Sequence, residues 1–249
     1  MFTREVITMP SDVSSLGIIK LRNLLDYFQD TAALAVEDIE GTSSELIARG
    51  YAWVLLKYEI NFTGKLPSLD EKFHINTFHD PSHGYNTLRE FHVKSMYGYE
   101  ILNAKTSGLL VEFKSGKLVK PSAHIPAITV RDTAKIDPGF TDIPDFAESE
   151  CIKIVEQPVN FHDIDSNSHV NNAIYFGWIH DSTPIDFEKY ELEFAACSFR
   201  SGAKMGETVK ILIAEPEQNT FVYKIMREGI SKPSASFLCK WKLRKVELN

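Results

Sequence analysis

The chain has 249 residues, 43% hydrophobic and 24% charged, with a formal net charge of −7. These values exclude a disordered chain and allow one large domain or two of ordinary size, while the acidic balance argues against generic nucleic-acid binding, which draws on excess Lys and Arg. No apolar run approaches the roughly 18 residues of a membrane helix, and three scattered cysteines, Cys151, Cys197 and Cys239, form no C-x-x-C pair, which suits reduced thiols in a cytoplasmic protein rather than a disulfide or zinc framework.

The first half opens on "MFTREVITMPSD", which lacks the apolar core of a signal peptide and contains a short extended segment, "REVITM". In that setting the sequon-like "NFT" at Asn61 carries no meaning. The polar turn "PSDVSS", closed by Gly17, leads into "KLRNLLDYFQDTAALAVEDI". There Leu21, Leu24, Leu25, Phe28, Ala32 and Ala35 recur at steps of three or four, the signature of a helix with one apolar face. Four strand-like runs follow: "YAWVLLKYEINF", "EKFHINTFHD", "NTLREFHVKSM" and "ILNAKTSGLLVEFKS". Residues 121–150, with Pro121, Pro126, Pro138 and Pro144, read as a linker.

The order then repeats. "CIKIVEQPVNF" is extended, a polar turn follows, "NNAIYFGWIHDS" is helical until Pro184, and four more strand-like runs complete residues 151–249. An offset of about 151 lays Asp12 on Asp163 and Asp30–Thr31 on Asp181–Ser182, which predicts two tandem copies of one α+β unit. In each, a curved antiparallel sheet wraps a long helix; the first occupies residues 1–120. The same offset sets Leu16 and Ile18 against Asn167 and His169. Core packing does not require that asymmetry, whereas a reaction site permits it.

The second turn, "NFHDIDSNSHVNN", has the composition of a helix N-cap, but His169 is a poor cap and the commonest general base near neutral pH. A calcium loop is excluded, because Ser168 stands at its glycine position and Ile174 where a bidentate Glu would close the cage. The His162–Asp163 and His180–Asp181 pairs suggest a metal hydrolase, yet those are largely helical, so no metal is expected. Neither G-x-S-x-G nor a Gly-rich phosphate loop occurs. Metal-free hydrolysis remains: Asp165, Asn167 and His169 alternate along what reads as an extended segment, at a helix start that favours developing negative charge. In that scheme His169 is the base for water, Asp165 holds it, and Asn167 with a backbone N–H near Val170 or Asn171 polarises an acyl carbonyl.

"DIDSNSHVNNAIYFGWI" resembles the D-x-N-x-H-V-N-N-x-x-Y-x-x-W segment of acyl-acyl-carrier-protein thioesterases, the plant FAT type and its bacterial relatives. "LLDYFQDTA", "GYAWVLLKYEINFTGKLP" and "YNTLREFHV" are similar to that family's first helix, first strand pair and Arg-containing strand. The resemblance implies two fused hotdog folds, hydrolysis of acyl-ACP to a free fatty acid, no cofactor, and Asp165, Asn167 and His169 as the catalytic set. It departs at "SFRSGAKMGETV", where Gly202 and Ala203 stand in place of the family's Glu and Cys; Glu207 or Glu193 as substitute carboxylates, a three-residue site and lost activity are the alternatives. Gly108 replaces a common Trp. The acyl chain is expected in the first half, against Leu24, Phe28, Trp53 and Leu55, and the acidic carrier to dock on Lys114, Lys117, Lys120, Arg200 and Lys204. An acyl-CoA thioesterase and a non-catalytic acyl-binding protein are the rival functions; the fused pair is compatible with a monomer or a homodimer.

Overall fold

The computed structural model describes residues 1–37, 41–125 and 135–245. The predicted helix extension to Ile39, and Pro126 of the predicted linker, lie outside the described residues. Two compact units emerge: Met1–Tyr58 with Thr63–Phe140, and Glu59–Phe62 with Thr141–Asn249.

In the first unit, β1 (Phe2–Ile7) precedes α1 (Leu21–Leu34), a short α2 (Ser43–Ala48), β2 (Tyr51–Phe62), β3 (Lys72–His83), β4 (Asn86–Ser95), β5 (Glu100–Glu112), β6 (Leu118–Val119) and α3 (Pro121–His124). Strand order is β1-β3-β4-β5-β2, with β6 on β5. The β1–β3, β3–β4 and β4–β5 ladders are antiparallel. Helix α1 buries Leu21, Leu24, Leu25 and Phe28, the predicted stripe, and Phe28 stacks on Phe91 of β4 at 4.7 Å. Thr31, rather than Ala32, completes the buried face, its hydroxyl donating to the Tyr27 carbonyl at 2.6 Å. Helix α2, absent from the predicted elements, starts at a capping box ahead of Leu46: the Thr42 hydroxyl accepts the Glu45 N–H and the Glu45 carboxylate accepts the Thr42 N–H.

The second unit repeats the plan: β7 (Lys153–Pro158), α4 (Asn172–Ser182), β8 (Tyr190–Phe199), β9 (Thr208–Glu217), β10 (Thr220–Arg227) and β11 (Ala235–Leu243), in the order β7-β9-β10-β11-β8. Helix α4 is apolar nearly all round and therefore buried, with Phe176 edge-on to Phe199 and Phe237. Each unit is thus an antiparallel sheet around one principal helix, the hotdog arrangement.

The segment expected to be a linker is held down where it is described. Ile136 is 3% exposed and its N–H donates to the buried Asp80 carboxylate at 3.0 Å, while the Phe140 ring lies under Lys105 at 4.8 Å. In the second unit Ile143 and Phe146 pack on Ala196, Val222 and Leu238, with the Lys224 ammonium over the Phe146 ring at 4.4 Å. Apolar residues between its prolines find sheet faces to cover, so this stretch acts as a strap.

Candidate active site

The turn before each helix is the same object built twice. In the first unit the Asp12 carboxylate accepts the Met9 N–H at 2.8 Å, the Lys20 N–H donates to the Asp12 carbonyl, Val13 bridges Ile19, and Gly17 has φ 71°. In the second, the Asp163 carboxylate accepts the Asn160 N–H at 2.8 Å, the Asn171 N–H donates to the Asp163 carbonyl, Ile164 bridges Val170, and Ser168 has φ 63°. Even the polar side chain inside the turn recurs: the Ser14 hydroxyl accepts the Leu16 N–H at 3.3 Å, and Asp165 Oδ1 accepts the Asn167 N–H at 2.8 Å.

Residues 165–169 are therefore not extended, as the alternation of polar residues had suggested. They close a tight turn in which the Asp165 N–H donates to the His169 carbonyl at 2.9 Å. Asp and Asn side chains bond their own backbone two residues on, which outcompetes extension here. Asp163 is structural, as its counterpart Asp12 suggests. Asp165 has one oxygen committed to the turn; the other has no hydrogen-bond partner among the described residues.

His169, half-buried, is oriented by the backbone rather than by Asp165. Its Nδ1 lies 2.9 Å from the Asn167 carbonyl oxygen. A carbonyl only accepts, so Nδ1 carries the proton and Nε2 of the neutral ring presents a lone pair. Asn167 Oδ1 is buried without a hydrogen-bond partner. Turning that amide about its Cβ–Cγ axis would put its NH2 at the same place, so either orientation offers an unpartnered polar group beside the imidazole's own anchor.

The expected backbone donors are corrected. The Val170 N–H donates to the Ala203 carbonyl and the Asn171 N–H to the Asp163 carbonyl, both at 2.9 Å, so neither faces an acyl oxygen. The Asn171 side chain caps α4 by accepting the Ala173 N–H at 2.8 Å. Among the described residues, the Asn172 N–H is the first-turn donor with no partner.

The loop after β8 closes the site. The Ala203 N–H donates to the Tyr175 hydroxyl at 2.8 Å, and Tyr175 is 1% exposed, burial pushing its phenol pKa up. Sequence reasoning passed over Tyr175 because an aromatic in an apolar helix reads as core. Glu207 is excluded as a replacement carboxylate: Arg227 grips it with two bonds of 2.7 and 2.6 Å, which holds its pKa below the usual range. It also accepts the Lys204 N–H at 3.2 Å, as Glu71 of the first unit accepts the Ser68 N–H at 2.9 Å. Glu193 is exposed near the start of β8, six residues before its end at Phe199, roughly 20 Å along an extended strand.

The four acyl-slot candidates have different surroundings. Leu24 and Phe28 are fully buried on the inner face of α1, Phe28 against Phe91, whereas Trp53 packs with Leu46, Leu110 and Ile125; Leu55 is half-buried on β2. Lys114, Lys117, Lys120, Arg200 and Lys204 are all exposed, the last two flanking Gly202. No helix among the described residues is long and apolar enough to cross a membrane.

Comparison with known proteins agrees with this architecture. Residues 1–127 match the acyl-ACP thioesterase N-terminal domain and residues 147–246 the acyl-ACP thioesterase C-terminal domain. The chain is similar to a chloroplastic acyl-[acyl-carrier-protein] hydrolase of Cuphea viscosissima, 27% identical over 183 residues, covering 66% of this chain and 42% of that protein. It thus spans less than half the length of that curated relative. The crystal structure of an acyl-ACP thioesterase from Bacteroides thetaiotaomicron superposes with a TM-score of 0.83 at 19% identity over 97% of both chains. The 12:0-ACP thioesterase from Umbellularia californica does so with a TM-score of 0.84 at 14% identity, over 98% of this chain and 97% of that one. With family models matching both units across nearly their full extent, the chain belongs to the acyl-ACP thioesterase family.

Proposed function

We propose that this chain hydrolyses the thioester of fatty acyl groups carried on acyl carrier protein, with His169 as general base. The observation that carries this reading is the Nδ1–H bond to the Asn167 carbonyl, which leaves Nε2 as the proton acceptor. Nε2 takes a proton from water as the water oxygen attacks the thioester carbon. The Asn167 amide, unpartnered in its buried position, and the Asn172 N–H at the start of α4 are the groups available to the water and to the developing oxyanion. Collapse of the tetrahedral intermediate breaks the C–S bond, and the imidazolium returns its proton to the departing thiolate. The products are a carboxylic acid and a thiol, with no cofactor in the balance. Asp165 keeps the turn closed and offers its second oxygen to the water.

Arg200 and Lys204, exposed beside Gly202, form the docking edge for the acidic carrier, with Lys114, Lys117 and Lys120 as a second cluster. Purified protein is assayed against matched acyl-ACP and acyl-CoA thioesters of several chain lengths. Release of fatty acid from acyl-ACP is expected, falling with added salt more steeply than for the CoA thioester. His169→Ala is expected to abolish release while the protein melts as the wild type does. Wild-type turnover in that variant would refute the base, and an acyl ligand that co-purifies and is never cleaved would refute hydrolysis.

A further inference from the structure

The geometry points to Gly202 as a positioning residue for His169, one that sets the pose of the base by having no side chain. This rests on the reading of His169 as the base. A Cβ built on Gly202 would lie 2.5 Å from His169 Cβ and 2.7 Å from both Cγ and Cδ2. Such separations are well inside van der Waals contact, so the imidazole occupies the volume in which a side chain at 202 would begin. Backbone conformation is not the reason for glycine, because Gly202 is not in the left-handed region.

Neither side of this contact yields easily. The loop is pinned by the Ala203 N–H on the Tyr175 hydroxyl, by the Ala203 carbonyl accepting from Val170, and by the Arg200 and Ser201 N–H groups on the Ser234 carbonyl at 2.8 and 3.2 Å. The turn is pinned by the Asp165 N–H on the His169 carbonyl at 2.9 Å. Turning the ring relieves only the contacts with Cγ and Cδ2; the 2.5 Å contact with Cβ is relieved only by shifting the turn itself, which carries the ring away from its Nδ1 bond to Asn167.

The first unit supplies an internal control. There the Ile19 N–H donates to the Pro67 carbonyl at 2.9 Å, as Val170 does to Ala203. The Thr8 N–H donates to the Glu71 carbonyl and the Asp70 N–H to the Thr8 carbonyl, as the Val159 N–H does to Glu207 and the Gly206 N–H to Val159. Leu66 therefore stands where Gly202 stands, and Ile18 where His169 stands. The first unit carries a Cβ at both places and holds its loop differently, with an Ile18–Ser68 bridge and the Leu69 N–H donating to the Gly17 carbonyl at 3.0 Å, so the approach that demands glycine belongs to the second unit. It follows that a Glu at 202, the residue the family resemblance leads one to expect, is incompatible with this pose of the base.

Gly202→Ala and Gly202→Glu are the test variants. A displacement of about 1 Å costs on the order of 100-fold in turnover, so kcat for Gly202→Ala is expected to fall about that much with KM little changed. Gly202→Glu is expected to lose activity, not gain it. Nitrogen NMR of the imidazole, assigned by the resonance missing from His169→Ala, is expected to show the Nδ1–H tautomer in the wild type and a mixture in Gly202→Ala. Thermal melts complete the cycle: Gly202→Ala lowers Tm beside His169 and not in a His169→Gly background. Glycine is needed at 169 there because His169 Cβ is itself in the way. A Gly202→Ala chain too unstable to assay supports the inference if His169→Gly restores its folding and overturns it otherwise.

Wild-type kcat or an unchanged tautomer in Gly202→Ala, a gain in Gly202→Glu, or an absence of coupling would each overturn the inference. If His169→Ala retains turnover, the base assignment fails, while the tautomer and the coupling still decide the positioning role.

Discussion

The duplicated aspartates allow the turn's energetics to be measured twice in one molecule. Asp12 is 7% exposed and accepts three hydrogen bonds, from the Met9 N–H at 2.8 Å, Asn23 Nδ2 at 3.1 Å and the Tyr27 hydroxyl at 2.7 Å. Asp163 is half-buried and accepts from the Asn160 N–H at 2.8 Å. Hydrogen bonds to a charged group contribute about 1.5–3 kcal/mol each and do not add fully, so Asp12→Ala should cost about 4 kcal/mol. Asp163→Ala removes one capping bond and should cost about 1 kcal/mol. At about 2–4 °C per kcal/mol for a chain of this size, thermal scans by circular dichroism should show Tm losses of about 8–16 °C and 2–4 °C. Asp12→Asn, which keeps one acceptor, should fall between. Equal losses in the two alanine variants would refute the claim that the aspartates share a turn but not a load. Burial first, and the Asp12 bond second, push the Tyr27 pKa from 10.0 to about 12. A raised phenol pKa favours the neutral form in the fold, so this contribution is complete below about pH 10 and is lost as pH rises through about 12.

Three further outcomes follow from the same geometry. Glu207→Gln should leave turnover near the wild type and weaken stability mainly at neutral pH: Arg227 lowers the Glu207 pKa, so its contribution is present above about pH 4.5 and disappears as pH falls through the depressed value, which urea titrations at several pH values will show. Ser168→Gly should raise stability by up to about 1 kcal/mol in the same assay without loss of activity, since Ser168 holds φ 63° where the first unit has Gly17; a destabilised variant would contradict this. Phe28→Ala should cost about 3–5 kcal/mol by leaving a cavity against Phe91, and a loss below about 1 kcal/mol would mean that Phe28 lines a slot rather than the core.

Most of the fold was legible because its signals are local. The period-three-and-four stripe of Leu21, Leu24, Leu25 and Phe28 is what α1 buries, and the run "YAWVLLKYEINF" coincides with β2. The offset between Asp12 and Asp163 was legible too, because a turn needs the same acceptor at the same place. What was not legible depends on contacts between distant segments. The alternation of polar residues in "DIDSNSH" misled, because it matches the period of an extended segment, whereas the Asp and Asn content, which favours turns, was the better guide to the Asp165 bond with Asn167. Nothing in "SFRSGAKMG" tells that Gly202 lies against His169, since that proximity is made by the Val170 bond to Ala203. The packing of Ile136 and Phe146 was not legible either, because proline content reports stiffness, while the burial of Ile136 and the partial burial of Phe146 depend on the sheet faces that they meet.

The comparison of the two units also separates scaffold from chemistry. Asp163, Glu207 and one oxygen of Asp165 repeat bonds made in the first unit by Asp12, Glu71 and Ser14, so those bonds are scaffold. What remains is a set of exchanges, Leu16 against Asn167 and Ile18 against His169 on a shared turn, and Leu66 against Gly202 in a loop that comes closer to that turn in the second unit. If the backbone alone orients the base, the exchange can be run in reverse on the first unit. Ile18→His by itself should destabilise the first unit, because Leu66 keeps the side chain that Gly202 lacks. Combined with Leu66→Gly, the new imidazole should reach the Leu16 carbonyl through Nδ1 and show the same tautomer in nitrogen NMR as His169. The coupling between the two substitutions should be about 0.5–3 kcal/mol, the range for residues in direct contact. Additive effects would mean that the turn does not orient the ring, and that the pose of His169 depends on neighbours peculiar to the second unit.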